Sequence, residues 1–124
     1  MSALLTIEER RVGDITILRL SGRLELDAGD LTLRDCIDRL VEQNRIRVVL
    51  DMEGVTRMDS AGIGMLVGKY LSVRRHGGSF KLLNLTPRSH RLMDITRLAR
   101  IFEAYEDEQE ALKSFEGATA GDDR

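Results

Sequence analysis

Residues 51–64 read Asp-Met-Glu-Gly-Val-Thr-Arg-Met-Asp-Ser-Ala-Gly-Ile-Gly, and they contain the most informative change of pattern in the chain. It begins at the end of an apolar run over 46–52 and leads into a segment whose apolar residues recur at helical spacing. We therefore expect a strand, a turn, and then a helix that begins at Asp59 or Ser60. Both residue types are favoured at helix N-termini, because their side chains accept hydrogen bonds from the first free amides. Ser60 would then lie at the positive end of the helix dipole, where another protein can reach its hydroxyl.

The residues after this serine are unusually small for a helix. Ala61, Gly62 and Gly64 stand where larger side chains would ordinarily be, and each glycine costs about 1 kcal/mol of helix stability relative to alanine. Capping explains Asp59 and Ser60, but it does not explain the glycines. Two explanations stay open: tight packing against a neighbouring element, or a low surface that a partner protein can approach.

Apolar spacing predicts alternating strands and helices along the rest of the chain. Short apolar runs predict strands over 4–7, 15–20, 46–52, 80–85 and 101–102, with Ser21-Gly22 breaking the second of them and 23–26 as its short extension. Spacings of three and four predict helices over 28–43, 60–76, 107–115 and from Pro87 onward. We therefore expect an α/β fold with a mixed, mostly parallel sheet of four to five strands, an antiparallel N-terminal hairpin at its edge, and about four helices.

The run over 46–52 is the clearest strand. Val48, Leu50 and Met52 alternate onto one face, while Val49 places an apolar residue on the other. Apolar residues on both faces are typical of a central strand that is covered on each side.

Length and composition limit the classes of protein. The 124 residues predict one domain over 1–116 and a small, polar, disordered tail over 117–124. The net charge of −2 gives no support to nucleic-acid binding. No apolar run approaches the roughly 20 residues that span a bilayer, and the N-terminus lacks the pattern of a signal peptide. We therefore expect no membrane span. The single cysteine, Cys36, suits a reducing compartment, so we expect a cytoplasmic protein.

The sequence lacks the usual patterns of catalytic and metal sites. His76 and His90 are 14 positions apart, and Cys36 is in another element, so no pair has zinc-ligand spacing. The hydrolase pattern requires glycine two residues before the serine, but Met58 stands there. No Gly-Lys-Ser/Thr follows the glycines, so a nucleotide loop is not predicted. We expect neither an enzyme nor a cofactor or metal site.

Two groups of positive charge remain. Arg74 and Arg75 lie at the predicted end of a helix, where cations complement the dipole. Further arginines recur at roughly helical intervals at positions 88, 91, 97 and 100. The ordinary interpretation of both groups is a solvated face.

Several motifs in order resemble one protein family. Residues 58–64, Met-Asp-Ser-Ala-Gly-Ile-Gly, resemble the signature of the STAS domain, which is named for sulphate transporters and anti-sigma factor antagonists. The chain most resembles the free-standing bacterial anti-anti-sigma factors. Further matching segments lie at 21–25, 48–52, 85–87, 91–95 and 101–102, so the resemblance covers about residues 4–115. It implies the STAS fold.

The resemblance also implies a partner-switching regulator. Such an antagonist, when unphosphorylated, binds an anti-sigma factor that is also a serine kinase, and the sigma factor is released. The kinase then phosphorylates the antagonist, the complex dissociates, and a phosphatase resets the cycle. By position, the resemblance makes Ser60 the phosphoacceptor in a monomer or weak dimer. The residues implied in partner binding are Glu25, Asp59, Ser60, Ala61, Gly62 and Gly64.

The chain departs from the family pattern at two positions. Glu25 stands where the family often has aspartate, which affects contacts to the partner. Arg97 stands where many members have a small residue near the end of the third helix. The alternative function is a structural STAS subunit, either of a stress-signalling scaffold or of a lipid ABC transporter. The Asp-Ser pair favours the switch, because a purely structural module needs no exposed serine there.

Overall fold

A five-stranded sheet, in the order β1-β2-β3-β4-β5, forms the centre of the structure. The computed structural model describes residues 4–121, without the side chains of 98–99 and 117–121. The strands are β1 Leu5–Val12, β2 Ile15–Leu24, β3 Arg47–Met58, β4 Ser79–Leu83 and β5 Ala104–Tyr105. β1 pairs antiparallel with β2, and each later pair of neighbours is parallel. The predicted α/β fold, with a hairpin at the edge of a mostly parallel sheet, is confirmed.

Helices cover both faces of this sheet. They are α1 Asp30–Glu42, α2 Ser60–Arg75, α3 Pro87–Thr96 and α4 Glu108–Gly121, with a 3-10 turn at Leu98–Ile101. Side chains of α1, α2 and α3 share one buried cluster with Leu50 and Met52. On the opposite face, Phe115 of α4 packs in a second cluster with Val49. The prediction that the central strand is buried on both faces is confirmed.

The central strand is longer than predicted. β3 pairs with β4 only as far as Asp51, opposite Leu83. It then continues to Met58 with β2 alone as its paired neighbour, whereas the sequence predicted an end at Met52. The register between β2 and β3 shifts between Arg19 and Ser21 and again two residues later. These irregularities break the period of two, so residues 53–58 looked like a turn.

The N-terminal hairpin is also more extensive than predicted. β1 runs through its charged residues to Val12, because its ladder with β2 continues from Leu5 to the hairpin turn. An edge strand tolerates such side chains, since one face and one edge meet water. Ser21-Gly22 does not break β2. Instead Gly22 takes a φ of 118° within the strand, a conformation that favours glycine.

The last strand begins three residues later than predicted. The prediction was 101–102, but the chain there leaves the turn Leu98–Ile101, and β5 follows it. Phe102 is buried against Tyr70, with the two ring centroids 5.3 Å apart. An irregular segment that contributes one core residue has the same short apolar signal as a strand.

Helix α4 is fixed to the sheet by one aromatic ring between two cations. The guanidinium carbon of Arg47 lies 5.3 Å from the centroid of the buried Phe115 ring, and Lys81 Nζ lies 4.5 Å from it. Lys81 is itself buried, and its ammonium donates to Ser114 Oγ at 2.8 Å and pairs with Glu103 at 3.0 Å. A buried lysine is stable only with such partners, so these contacts hold α4 on the second face.

The C-terminal end of the chain was predicted to be a disordered tail over 117–124. Helix α4 is assigned to Gly121, but its described side chains end at Glu116, and residues 122–124 lie outside the described part. The tail, and the domain boundary at 116, therefore stay predictions.

Candidate functional site

The extension of β3 delivers the chain to the first residue of α2. Asp59 is extended, with φ −123° and ψ −177°, and its Oδ1 accepts a hydrogen bond from the Gly62 amide at 2.9 Å. Asp59 is therefore the N-cap, and Ser60 is the first helical residue. The predicted helix start is confirmed, and the serine hydroxyl is not used for capping.

The Ser60 hydroxyl is accessible. The residue is exposed, and within residues 4–121 its hydroxyl has no hydrogen-bond partner. The first amides of a helix have no intrahelical acceptor, and together with the dipole they favour a negative charge. A phosphoryl group on Ser60 would therefore meet a positive electrostatic environment within its own protein.

Asp59 also positions a second piece of backbone beside this serine. Its Oδ2 accepts a hydrogen bond from the Leu26 amide at 3.2 Å. Leu26 lies in a tight turn that is closed by two hydrogen bonds of 2.8 Å between Glu25 and Ala28. One carboxylate thus joins the turn after β2 to the start of α2, which brings Glu25 and Ser60 into one region.

Leu26 is an exposed residue near Ser60 that the sequence pattern did not predict. Its side chain is 64% exposed at the tip of this turn, although leucine is ordinarily buried. The signal was an apolar residue between Glu25 and Asp27, after the strand pattern had ended. We now include it in the exposed surface next to Ser60.

Glu25 is held by two arginines. Its carboxylate pairs with Arg23 at 3.0 Å and with Arg57 at 3.2 Å. Partial desolvation acts to raise the pKa of Glu25, but hydrogen bonds from Arg23 and Arg57 outweigh it, so the pKa lies below its ordinary value. Glu25 is therefore ionised at neutral pH. Its predicted contact with a partner stays a prediction, and any such contact would involve the two arginines as well.

The small residues after Ser60 divide into two kinds. Gly62 is buried, and an added Cβ would lie far inside van der Waals distance of the Leu24 carbonyl oxygen. Packing between α2 and β2 therefore requires glycine at this position, and the contact of Gly62 with a partner stays a prediction. Gly64 is exposed, and an added Cβ there would meet nothing within 4 Å. Ala61 is half-buried, so Ala61 and Gly64 keep their predicted place at the surface.

The role of Asp59 can be tested by Asp59→Ala. We expect the free energy of unfolding to fall by about 1–2 kcal/mol, the usual cost of a lost N-cap, as measured by urea denaturation. Because the Leu26 amide loses its acceptor, its hydrogen exchange should accelerate. Asp59→Asn, which keeps an acceptor oxygen, is the matched control and should lose less stability. Equal protection of the Leu26 amide in the wild type and Asp59→Ala would contradict the proposed link.

The part of the chain that the structure describes contains neither a cluster of metal-binding side chains nor a membrane-spanning helix. No group of three or more His, Cys, Asp or Glu side chains within it could hold a metal ion. Its helices are all too short or too polar to cross a bilayer.

Comparison with known proteins places the chain in a family. The STAS domain matches residues 6–111. The anti-sigma F factor antagonist of Paenibacillus polymyxa is 30% identical over 112 residues, which cover 90% of this chain and 96% of the relative. The anti-sigma-B factor antagonist of Bacillus subtilis is 37% identical over 87 residues, or 69% of this chain and 77% of the relative.

The fold agrees with these matches. The crystal structure of an anti-sigma factor antagonist from Mycobacterium paratuberculosis superposes with a TM-score of 0.79 at 21% identity. The superposition covers 89% of this chain and 92% of that one. The family match, the relatives and the fold are consistent with one another, and the protein belongs to the STAS domain family.

Proposed function

We propose that this protein is an anti-sigma factor antagonist that is switched by phosphorylation of Ser60. The observation that carries the proposal is the Ser60 hydroxyl, which is exposed at the first position of α2 and has no hydrogen-bond partner among the described residues. The names of the Paenibacillus and Bacillus relatives support the same role. The unphosphorylated surface around Ser60 binds the anti-sigma factor, and the bound sigma factor is released.

The switch is electrostatic. A phosphoryl group adds about −1.5 to −2 charges, and the helix N-terminus stabilises it within the protein. Asp59 already occupies one of the first amides, so the phosphate adds to an existing negative charge. A partner surface that faces them must desolvate a dianion or bring a carboxylate near it. A difference of roughly 2–3 kcal/mol would change the affinity about 30- to 100-fold or more, without a change of fold.

The remaining roles belong to other proteins. The anti-sigma factor acts as the serine kinase and supplies ATP and the catalytic base, and a phosphatase removes the phosphate from Ser60. The antagonist acts by binding rather than by catalysis, needs no cofactor, and works in the cytoplasm as a monomer or weak dimer.

The phosphorylation site can be tested by co-expressing the protein with each anti-sigma factor kinase of the source genome. Intact-protein mass spectrometry should show one added phosphoryl group on the wild type and none on Ser60→Ala. Thr56→Val is the matched control, because Thr56 is also exposed and lies on the β3 extension, where its hydroxyl donates to Gly22 O at 3.1 Å. Labelling that persists in Ser60→Ala would show that the site is wrong.

The effect on binding can be tested with the kinase found in that experiment. Ser60→Glu should weaken binding in calorimetry by about 10-fold or more, since it adds one charge where the partner approaches. Ser60→Gln has nearly the same size without the charge and should bind more tightly than Ser60→Glu. Equal affinities of Ser60→Glu and Ser60→Gln would contradict the electrostatic switch. A large stable assembly on sizing, unaffected by either substitution, would favour the structural subunit instead.

A further inference from the structure

Positive charge is concentrated in one part of this acidic chain. Residues 70–102 contain seven Lys or Arg and one carboxylate, whereas the remaining residues contain twelve Lys or Arg and twenty carboxylates. The first group comprises the end of α2, β4, α3 and the 3-10 turn. A charge asymmetry of this size within one domain indicates an electrostatic surface rather than a random distribution.

The arginines of α3 and the turn after it are exposed and form no ion pairs within the part of the chain that the structure describes. Elsewhere most cations are paired with carboxylates; examples are Arg10 with Glu108 and Lys69 with Asp38. No ion pair to a described residue is formed by Arg88, Arg91, Arg97 or Arg100. These four charges are therefore not used to hold the fold together.

An exposed apolar side chain lies on the same helix, α3. Ile95 is 75% exposed, the largest exposed fraction of any described large hydrophobic residue. Arg88, Arg91 and Ile95 follow one another at spacings of three and four, so they share one face of α3. Met93 of the same helix is fully buried in the core. We call the exposed set the α3 basic surface: Arg88, Arg91, Ile95, Arg97 and Arg100.

Arg97 holds its charge at a conformational cost. It is the C-cap of α3, with φ 62° and ψ 12° in the left-handed region. Glycine or asparagine adopts this conformation with little strain, whereas a long side chain does not. A residue that is unfavourable for the backbone, exposed and unpaired is typical of a functional rather than a structural requirement.

We propose that the α3 basic surface binds an acidic segment of the anti-sigma factor kinase, an inference that rests on the proposed function. Four exposed guanidinium groups that form no ion pair to a described residue, and an exposed isoleucine on α3, complement a segment that carries carboxylates and an apolar side chain. A bilayer is a poorer occupant, because α3 has ten residues and its other apolar side chains lie in the core. A nucleic acid is poorer as well, since it would not use Ile95 and would face a protein of net charge −2.

The α3 basic surface and Ser60 belong to helices that begin at the same edge of the sheet. α3 contacts β3, and β3 leads directly to Ser60. α2 and α3 also follow neighbouring parallel strands, whose carboxyl ends lie at the same edge of the sheet. An acidic segment bound to α3 would therefore be repelled by a phosphate on Ser60, and the arginines add specificity to the release step.

The proposal can be tested on the kinase that phosphorylates Ser60. The double variant Arg88→Glu/Arg91→Glu should slow association about 10-fold at low salt, and high salt should narrow the difference. Arg11→Glu/Arg19→Glu is the control matched in charge, because both arginines are also exposed and unpaired within the described residues but lie on β1 and β2. It should associate within about twofold of the wild type. If both variants lost the same fraction of the association rate, the effect would be one of net charge, and the proposal would be overturned.

Arg97→Gly gives a test that misfolding cannot imitate. The variant should melt at a higher temperature, because glycine relieves the left-handed strain, yet it should bind the kinase about two- to fivefold more weakly. Arg97→Lys should keep most of the affinity, since it keeps the charge. If Arg97→Gly were more stable but bound the kinase with unchanged affinity, Arg97 would not be part of the binding surface.

The outcomes separate this proposal from the proposed function. If Ser60 is phosphorylated and Ser60→Glu weakens binding, but the charge reversal on α3 has no effect, only the α3 proposal fails. If no kinase acts on Ser60, the proposed function fails, and a synthetic peptide of alternating Glu and Leu becomes the probe. Changes in the NMR shifts of backbone amides that are confined to α3 when the peptide is added would support the α3 basic surface as a binding site. The absence of any such change would overturn the proposal. The choice of partner would be overturned if the protein bound phosphatidylglycerol vesicles or duplex DNA more strongly than it binds the kinase or the peptide. It would also be overturned if the protein self-associated and Arg88→Glu/Arg91→Glu abolished that association.

Discussion

Gly62→Ala will destabilise the protein by about 2–3 kcal/mol, because the added methyl group has no space. It would press on the backbone carbonyl of Leu24 and on the Leu24 side chain, whose Cγ would be 3.3 Å away. The obstacle is backbone of β2 rather than the end of a flexible side chain, so α2 and β2 must move apart. Gly64→Ala, two residues later in the same helix, will raise stability by up to about 1 kcal/mol, since it adds helix propensity in open space.

Urea denaturation of the two variants measures the difference directly, and kinase binding shows its consequence. Gly62→Ala should also slow phosphorylation, because the same movement displaces Ser60 and the Asp59 hydrogen bond to the Gly62 amide. Gly64→Ala should keep the fold, so any loss of affinity in it would show that the partner lies over Gly64. If both variants were equally stable, the packing explanation for Gly62 would be wrong.

Phe115→Ala will cost about 3–5 kcal/mol, the usual range for removing a buried phenylalanine. The ring is 1% exposed and fills the second core. Its removal also takes away the cation–π partner of Arg47 and Lys81, and such contacts add about 0.5–2 kcal/mol. The Lys81 ammonium would remain buried with less compensation, so the loss should lie near the upper end of the range.

Phe115→Leu is the control that separates the two contributions. It keeps most of the apolar volume but removes the π face, so it should lose about 1–2 kcal/mol. Thermal denaturation measures both variants, and hydrogen exchange on α4 should rise in Phe115→Ala before the rest of the protein opens. Uniform exchange over all helices would show that α4 does not separate from the sheet independently. A loss below about 1 kcal/mol in Phe115→Ala would contradict the described packing.

The sequence predicted the parts of the fold that obey a simple period. The central strand was recognised because Val48, Leu50 and Met52 alternate, and α2 because its apolar residues recur at helical spacing. The β3 extension was not recognised, because the register shifts against β2 interrupt the alternation. β5 was misplaced because burial of Phe102 depends on Tyr70, a contact between residues far apart in sequence.

The site was predicted only in part for the same reason. Asp59 and Ser60 were found because an N-cap is a local property of the chain. Leu26 was missed because its position depends on a hydrogen bond from a residue 33 positions away. The sequence allowed two explanations for the glycines, tight packing or partner binding. The structure shows that Gly62 packs against Leu24. No local sequence pattern contains that information, because Leu24 is far from Gly62 in sequence.

The α3 basic surface and Ser60 lie on different helices, and this separation has an evolutionary consequence. Exposed arginines with no ion pairs can be exchanged with little effect on folding. Paralogous antagonists in one genome could therefore diverge in the charges of α3 while they keep an identical phosphorylation chemistry. Each kinase would then reject the wrong antagonist by charge repulsion at a distance from the serine. Under the proposed function, cross-talk between parallel partner-switching circuits would be limited by a few arginine positions.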